Sequence, residues 1–208
     1  MLTITTLTLG SFETNCYVLK RGNQAILFDC MIDRYGSIDP ILDELKDSNL
    51  QGVILTHGHY DHIAGLNFLY EKFPVPIYIS KTDFPYLKDP RLNLSAQITD
   101  PLVIDLEVNK IEESTLKVGD FTFEVFKTPG HTPGSLSFQI ENHVLVGDFL
   151  FKNSIGRTDL ILGDMAAMKK SLAKAMKWPD DWYIYPGHGP SSQMRYEKKQ
   201  NPFLKPYR

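Results

Sequence analysis

Residues 53–62 read Val53-Ile54-Leu55-Thr56-His57-Gly58-His59-Tyr60-Asp61-His62. A short apolar run of strand character empties into three histidines and an aspartate spaced as His57-x-His59-x-Asp61-His62. The chain has only 6 histidines in 208 residues. A pattern this specific arises by chance in roughly one of a few thousand such chains, which makes it a strong motif. In extended backbone, side chains alternate, so His57 and His59 project to the same side. Asp61 and His62 then fall at a helix start, where the turning chain aims them at a neighbouring point. Imidazole nitrogen and carboxylate oxygen are ligands that zinc, iron and manganese accept.

Three further candidates share this context downstream. His131 lies in Thr128-Pro129-Gly130-His131-Thr132-Pro133-Gly134, after a strand ending near Phe126. Asp148 follows His143-Val144-Leu145-Val146-Gly147. His188 sits in Tyr185-Pro186-Gly187-His188-Gly189-Pro190. Four strands thus each deliver candidates to a loop at their C-terminal end, and the neighbouring glycines allow sharp turns and close backbone approach. His143, at the opposite end of its strand, reads as structural or surface. Seven ligands exceed one tetrahedral ion. They divide into His57, His59 and His131 on one metal and Asp61, His62 and His188 on a second, with Asp148 bridging. Two metals about 3.5–4 Å apart acidify a shared water and polarise a carbonyl or phosphoryl oxygen, which is hydrolytic logic.

Composition sets the background. With 42% hydrophobic and 23% charged residues, and ordinary glycine and proline counts, the chain reads as a single globular domain over 1–208. A net charge of −3 argues against bulk electrostatic binding of nucleic acid. The apolar stretches are far shorter than a bilayer span, so no membrane segment is expected. Met1 to Gly10 alternates Thr with Leu and Ile and carries no Lys or Arg, so it reads as a strand rather than a signal peptide. Cys16 and Cys30 are expected to be reduced, and the protein cytoplasmic.

The expected strands are Leu2 to Leu9, Cys16 to Lys20, Ala25 to Phe28, Val53 to Leu55, Pro76 to Ile79, Thr115 to Val118, Phe121 to Phe126, Leu136 to Ile140, His143 to Val146 and Trp182 to Tyr185. Helices are expected over Ile38 to Lys46, Ile63 to Phe73 and, capped by Asp164, Met165 to Lys177. The stretch from Lys81 to about Leu102 has no clear period. The tail carries a short helix, and its basic residues, interrupted by Glu197, read as a solvated face. Strand runs punctuated by helices suggest two sheets with helices outside them.

The motif at 57–62, followed in order by His131, Asp148 and His188, resembles the metallo-β-lactamase superfamily along the whole chain. Asp29, closing Ile26-Leu27-Phe28-Asp29, looks like the superfamily's early aspartate. The resemblance implies an α/β fold, a four-layer αββα sandwich with two divalent metal ions, zinc in the first instance with iron or manganese as alternatives, at one edge between the sheets. Gly147-Asp148-Phe149-Leu150-Phe151 with Gly156-Arg157-Thr158-Asp159 is similar to the short, single-domain glyoxalase II-like hydrolases. It implies attack of a metal-bridging hydroxide on a thioester such as S-D-lactoylglutathione, with Asp61 orienting the hydroxide and Arg157 binding the glutathione moiety. A thiolate leaves without a general acid, since its conjugate acid has a pKa near about 8.5. Gly189-Pro190 stand where long members carry Glu-Tyr, and Cys30-Met31 replace their Pro-Gly. The alternative is a mononuclear-iron persulfide dioxygenase-like oxidoreductase, whose ligands would correspond to His57, His131 and Asp148. Hydrolysis of another ester or a lactone is the remaining hydrolytic option. The partner in each case is a small-molecule substrate.

Overall fold

The computed structural model describes residues 1–208, which fold as two compact units: Met1–Ile111 with Lys117–Phe121, and Glu112–Leu116 with Thr122–Arg208. The first unit is built on a six-stranded sheet of β1 (Leu2–Leu9), β2 (Thr14–Arg21), β3 (Gln24–Phe28), β4 (Asn49–Ile54), β5 (Ile77–Ser80) and β6 (Asn109–Ile111), adjacent in that order. β1, β2 and β3 form an antiparallel meander, whereas β3 to β6 run parallel. Parallel strands need crossovers, here made by α1 (Asp39–Leu45) and by α2 (Tyr60–Ile63) followed by α3 (Leu66–Lys72).

Period-two alternation decides which side chains meet these helices. Cys16, Val18, Ala25, Leu27, Val53, Leu55, Ile77 and Ile79 share one sheet face and pack with Ile41, Leu45, Ile63, Leu66 and Leu69 in one buried cluster. The helix expected over Ile63 to Phe73 is broken at Ala64-Gly65. There the Gly65 N–H donates to the Cys30 carbonyl, and a Cβ on Gly65 would lie 2.8 Å from Cys30 Sγ. The stretch from Lys81 onward holds a 3₁₀ turn over Phe84–Leu87 and α4 (Ser95–Ile98).

The second sheet has the order β14-β13-β10-β9-β8-β7. Its strands are β7 (Thr115–Val118), β8 (Phe121–Lys127), β9 (Leu136–Ile140), β10 (His143–Gly147), β13 (Tyr183–Pro186) and β14 (Ser192–Gln193). The hairpin of β11 (Leu150–Phe151) and β12 (Ser154–Ile155) stands apart from it. Because β9 is antiparallel to both β8 and β10, and β13 is parallel to β10, strands β8, β10 and β13 all run the same way. α5 (Met165–Ala175) starts where the Asp164 carboxylate accepts from the Ala166 N–H at 2.6 Å. Its Met168, Leu172 and Ala175 pack with Val144, Val146, Ile184 and Trp178.

In the tail, the basic residues Arg195, Lys199, Lys205 and Arg208 are exposed, as expected of a solvated face, and Glu197 alone departs from it. α6 (Met194–Gln200) buries Glu197 completely. The Glu197 carboxylate accepts from the Asn153 N–H, the Ser192 hydroxyl and the Asn201 amide, so it is a strut rather than a surface charge. No helix is long and apolar enough to cross a membrane.

Candidate metal centre

In the first unit the donors gather at one edge of the sheet for a topological reason. β3 and β4 are parallel neighbours, so Asp29, just past β3, and Thr56-His57, just past β4, leave the same edge. β2 is antiparallel to β3, so its first residue, Thr14, starts there too. β5, parallel to β4, brings Asp83 to the same place.

Asp29 is 1% exposed, and its carboxylate is surrounded by donors. Oδ1 accepts from the Thr56 N–H at 2.8 Å, while Oδ2 accepts from the Thr56 hydroxyl at 2.8 Å and from His62 Nδ1 at 2.7 Å. Asp29 occupies the left-handed region, with φ of 55°, which costs energy for a non-glycine residue and is held here by those bonds.

These bonds fix the histidine tautomers. The Thr56 hydroxyl gives its proton to Asp29, so at 3.1 Å from His57 Nδ1 it can only accept, and Nδ1 carries the hydrogen. The same holds for His62 Nδ1 against Asp29. In both rings Nε2 is therefore the nitrogen left to offer a metal. The His57 and His62 rings lie 4.1 Å apart, and His57 and His59 4.9 Å apart edge to face. The Gly58 N–H between them donates to the buried Asp83 carboxylate at 3.2 Å. The Thr14 hydroxyl donates to Asp61 Oδ2 at 3.0 Å, and that oxygen is 3.5 Å from His62 Nε2. Donor atoms of His57 and His59, of His57 and His62, and of Asp61 and His62 lie within 4.8 Å of each other.

The second unit gathers the remaining three. His131, Asp148 and His188 follow β8, β10 and β13, whose common direction sends all three loops off one edge. His131 Nε2 and His188 Nε2 each lie 3.4 Å from Asp148 Oδ2, so two imidazoles converge on one carboxylate oxygen. His131 Nδ1 is 2.8 Å from the Arg157 carbonyl, which can only accept, so this ring too is held through Nδ1 and leaves Nε2 to offer a metal. The Gly187 N–H donates to the Gly147 carbonyl at 2.8 Å and ties the His188 loop to the Asp148 loop.

His143, read from the sequence as structural or surface, and the Arg157 side chain make other contacts. His143, at the start of β10, stacks on Tyr183 and lies 3.1 Å from the Tyr185 hydroxyl; burial holds its pKa below the ordinary histidine value. The exposed Arg157 guanidinium forms a two-pronged pair with Asp159 at 2.8 and 2.9 Å, which pulls the Asp159 carboxyl down to about 2. Sequence reasoning missed Thr56, Thr14, Asp83 and the Arg157 carbonyl as orienting groups. Only Thr56 carried a signal, by directly preceding the motif.

The donor set suits divalent first-row metals: imidazoles, three of them held through Nδ1 by hydrogen-bonded neighbours, plus carboxylates. Comparison with known proteins agrees. The family model "Metallo-beta-lactamase superfamily" matches residues 9–188. The chain is 34% identical over 203 residues to the protein named "Probable metallo-hydrolase YqgX" of Bacillus subtilis, covering 94% of each chain. It is also 34% identical over 206 residues to "Hydroxyacylglutathione hydrolase GloC" of Haemophilus influenzae, covering 93% of this chain and 94% of that one. Among solved structures, the BLEG-1 B3 metallo-β-lactamase superposes with a TM-score of 0.90 at 34% identity, covering 97% of this chain and 99% of that one. TTHA1623 in a di-iron-bound form gives 0.84 at 30%, covering 96% and 100%.

Proposed function

This chain belongs to the metallo-β-lactamase superfamily, and within it we propose a metal-dependent hydrolase whose substrate is a thioester of the S-D-lactoylglutathione type. The observation that carries the hydrolytic reading is that His57, His62 and His131 are each held through Nδ1, which leaves Nε2 of each ring as the nitrogen to offer a metal. In this reading His57, His59 and His131 hold one ion and Asp61, His62 and His188 the other. Asp148 serves both, in keeping with the two imidazoles that already converge on its Oδ2. The relative solved with two irons supports a paired site. A bound pair of divalent ions supplies Lewis acidity toward a carbonyl oxygen and lowers the pKa of water towards neutrality.

The chain's own residues supply position. In this reading Asp61, which accepts from the Thr14 hydroxyl, orients the attacking water. The thiolate departs without a proton donor because its conjugate acid has a pKa near about 8.5. The hydroxyacylglutathione hydrolase relative is the support for the thioester class.

The test is thioester loss from S-D-lactoylglutathione with zinc- and iron-loaded protein, beside a chromogenic β-lactam and glutathione persulfide with oxygen uptake. Turnover of roughly 10 per second or more on the thioester, well above the other two substrates, is the expected result. A metal-replete sample that consumes oxygen with persulfide, or opens the β-lactam faster, rejects the thioester assignment.

A further inference from the structure

A cleft of about 250 Å³ in the first unit is lined by the β1–β2 turn (Gly10, Ser11, Phe12), the segment after Asp29 (Met31 to Arg34, and Gly36), Tyr60, Ile98 and Thr99. Three of these lining segments are linked to the candidate donors. Tyr60 stands between His59 and Asp61. The β1–β2 turn leads into Thr14, whose hydroxyl holds Asp61. The 31–36 segment follows Cys30, whose N–H donates to the His62 carbonyl at 2.8 Å. The cleft is thus lined by segments continuous with residues that carry or hold the candidate donors.

Its chemistry is specific. Phe12 and Ile98, 42% and 44% exposed, give it apolar walls with Met31 and Tyr60. It contains two charged residues. Asp33 is committed to the backbone, its Oδ1 accepting from the N–H groups of Tyr35 and Ser37 at 2.8 and 2.9 Å. Arg34 lies over the Tyr35 ring, 4.9 Å from its centroid, and no carboxylate pairs with it. Stacking leaves the in-plane N–H fork of a guanidinium open to an anion. Arg157, by contrast, is already paired with Asp159.

We propose that this cleft is a substrate subsite in which Arg34 pairs with a carboxylate of the thiol half, while Phe12, Met31 and Ile98 cover the apolar atoms next to the thioester. The assignment rests on the thioester reading, because a D-lactoyl group carries no charge and the carboxylates of such a substrate lie on the thiol side. A volume of about 250 Å³ is slightly below the roughly 300–1,000 Å³ of complete small-molecule sites, which suits one part of the substrate.

The test separates binding from turnover. S-methylglutathione, an unreactive thioether with the same carboxylates, is titrated calorimetrically into the metal-loaded wild type, Arg34→Ala, Arg34→Lys and Arg157→Ala, with folding checked by circular dichroism. Arg34→Ala is expected to weaken binding at least tenfold and Arg34→Lys by less. In the hydrolysis assay Arg34→Ala should raise KM with little change in kcat. Wild type that does not bind the thioether, or a loss in Arg157→Ala with none in Arg34→Ala, overturns the subsite. Hydrolysis unaffected by Arg34→Ala overturns it too, leaving the thioester reading intact. Arg34-dependent binding without any thioester hydrolysis sinks that reading and keeps the subsite.

Discussion

Asp29 Oδ2 lies 2.7 Å from His62 Nδ1 and 2.8 Å from the Thr56 hydroxyl, which in turn receives His57 Nδ1. One carboxylate, from a residue that holds no metal in the proposed centre, therefore settles the orientation of two imidazoles. Asp29→Ala should weaken metal affinity about 10–100-fold, the usual loss when a ligand's hydrogen-bonded support is removed. Competition with a chromophoric chelator measures it. An affinity within twofold of wild type would show that the Asp29 bonds do not set the rings. Thr56→Val, which cuts only the His57 branch, should fall between the two.

Ligands and bystanders should separate on metal content. His57→Ala, His59→Ala and Asp148→Ala are expected to lose bound metal and activity, with His143→Ala near wild type in both. Elemental analysis beside the hydrolysis assay reads this directly. His143 also predicts a pH effect with a definite sign. Burial lowers its folded-state pKa, so the unfolded chain binds the proton more readily and stability falls as pH drops below about 6.5. His143→Gln should flatten that part of the stability curve. A carbon-bound ring proton of His143 that titrates at or above 6.5 would contradict the burial argument.

Gly156 touches the Asp148 backbone so closely that an added Cβ would sit 1.8 Å from the Asp148 carbonyl oxygen. The backbone there cannot yield as a flexible side chain would. Gly156→Ala should cost about 1–3 kcal/mol and displace the Asp148 loop, visible as lower denaturant midpoint and reduced metal content together. A stable variant with full metal would mean that the loop accommodates the methyl group.

Glu197 offers the clearest stability test away from the centre. Glu197→Ala removes the acceptor from the Asn153 N–H, the Ser192 hydroxyl and the Asn201 amide. Leaving these donors without their buried acceptor should cost about 1–3 kcal/mol, measured by urea unfolding. Glu197→Gln should recover part of this.

Cys16 and Cys30 are fully buried, and burial pushes both thiols well above their ordinary pKa. Both should resist an aromatic disulfide reagent in the native protein and react on unfolding. Rapid reaction of either in the native state would show that the sheet opens on the assay timescale.

What the sequence made legible was what depends on short spacing. The His57-x-His59-x-Asp61-His62 pattern, the alternation in β1 and β8, and the Asp164 cap all report neighbours in the chain. Elements decided by distant partners were not readable. β6 is three residues, Asn109-Lys110-Ile111, polar enough to look like a loop, and it is a strand only because β5 offers a free edge. The break at Gly65 depends on Cys30, and Glu197 looked like a surface charge because its three donors come from Asn153, Ser192 and Asn201. Asp83, 25 residues beyond Gly58, carried no local sign of its bond to the histidine loop.

The common direction of β8, β10 and β13 has a practical corollary. Their C-terminal ends carry His131, Asp148 and His188, so the turn at Glu141-Asn142, which joins β9 to β10, lies at the other end of that sheet. Glu141, with φ of 53° and an exposed side chain, is a tight corner on the surface. A linker or fluorophore attached there would tether the protein to a support with its histidine-bearing loops facing the solution, where substrate arrives.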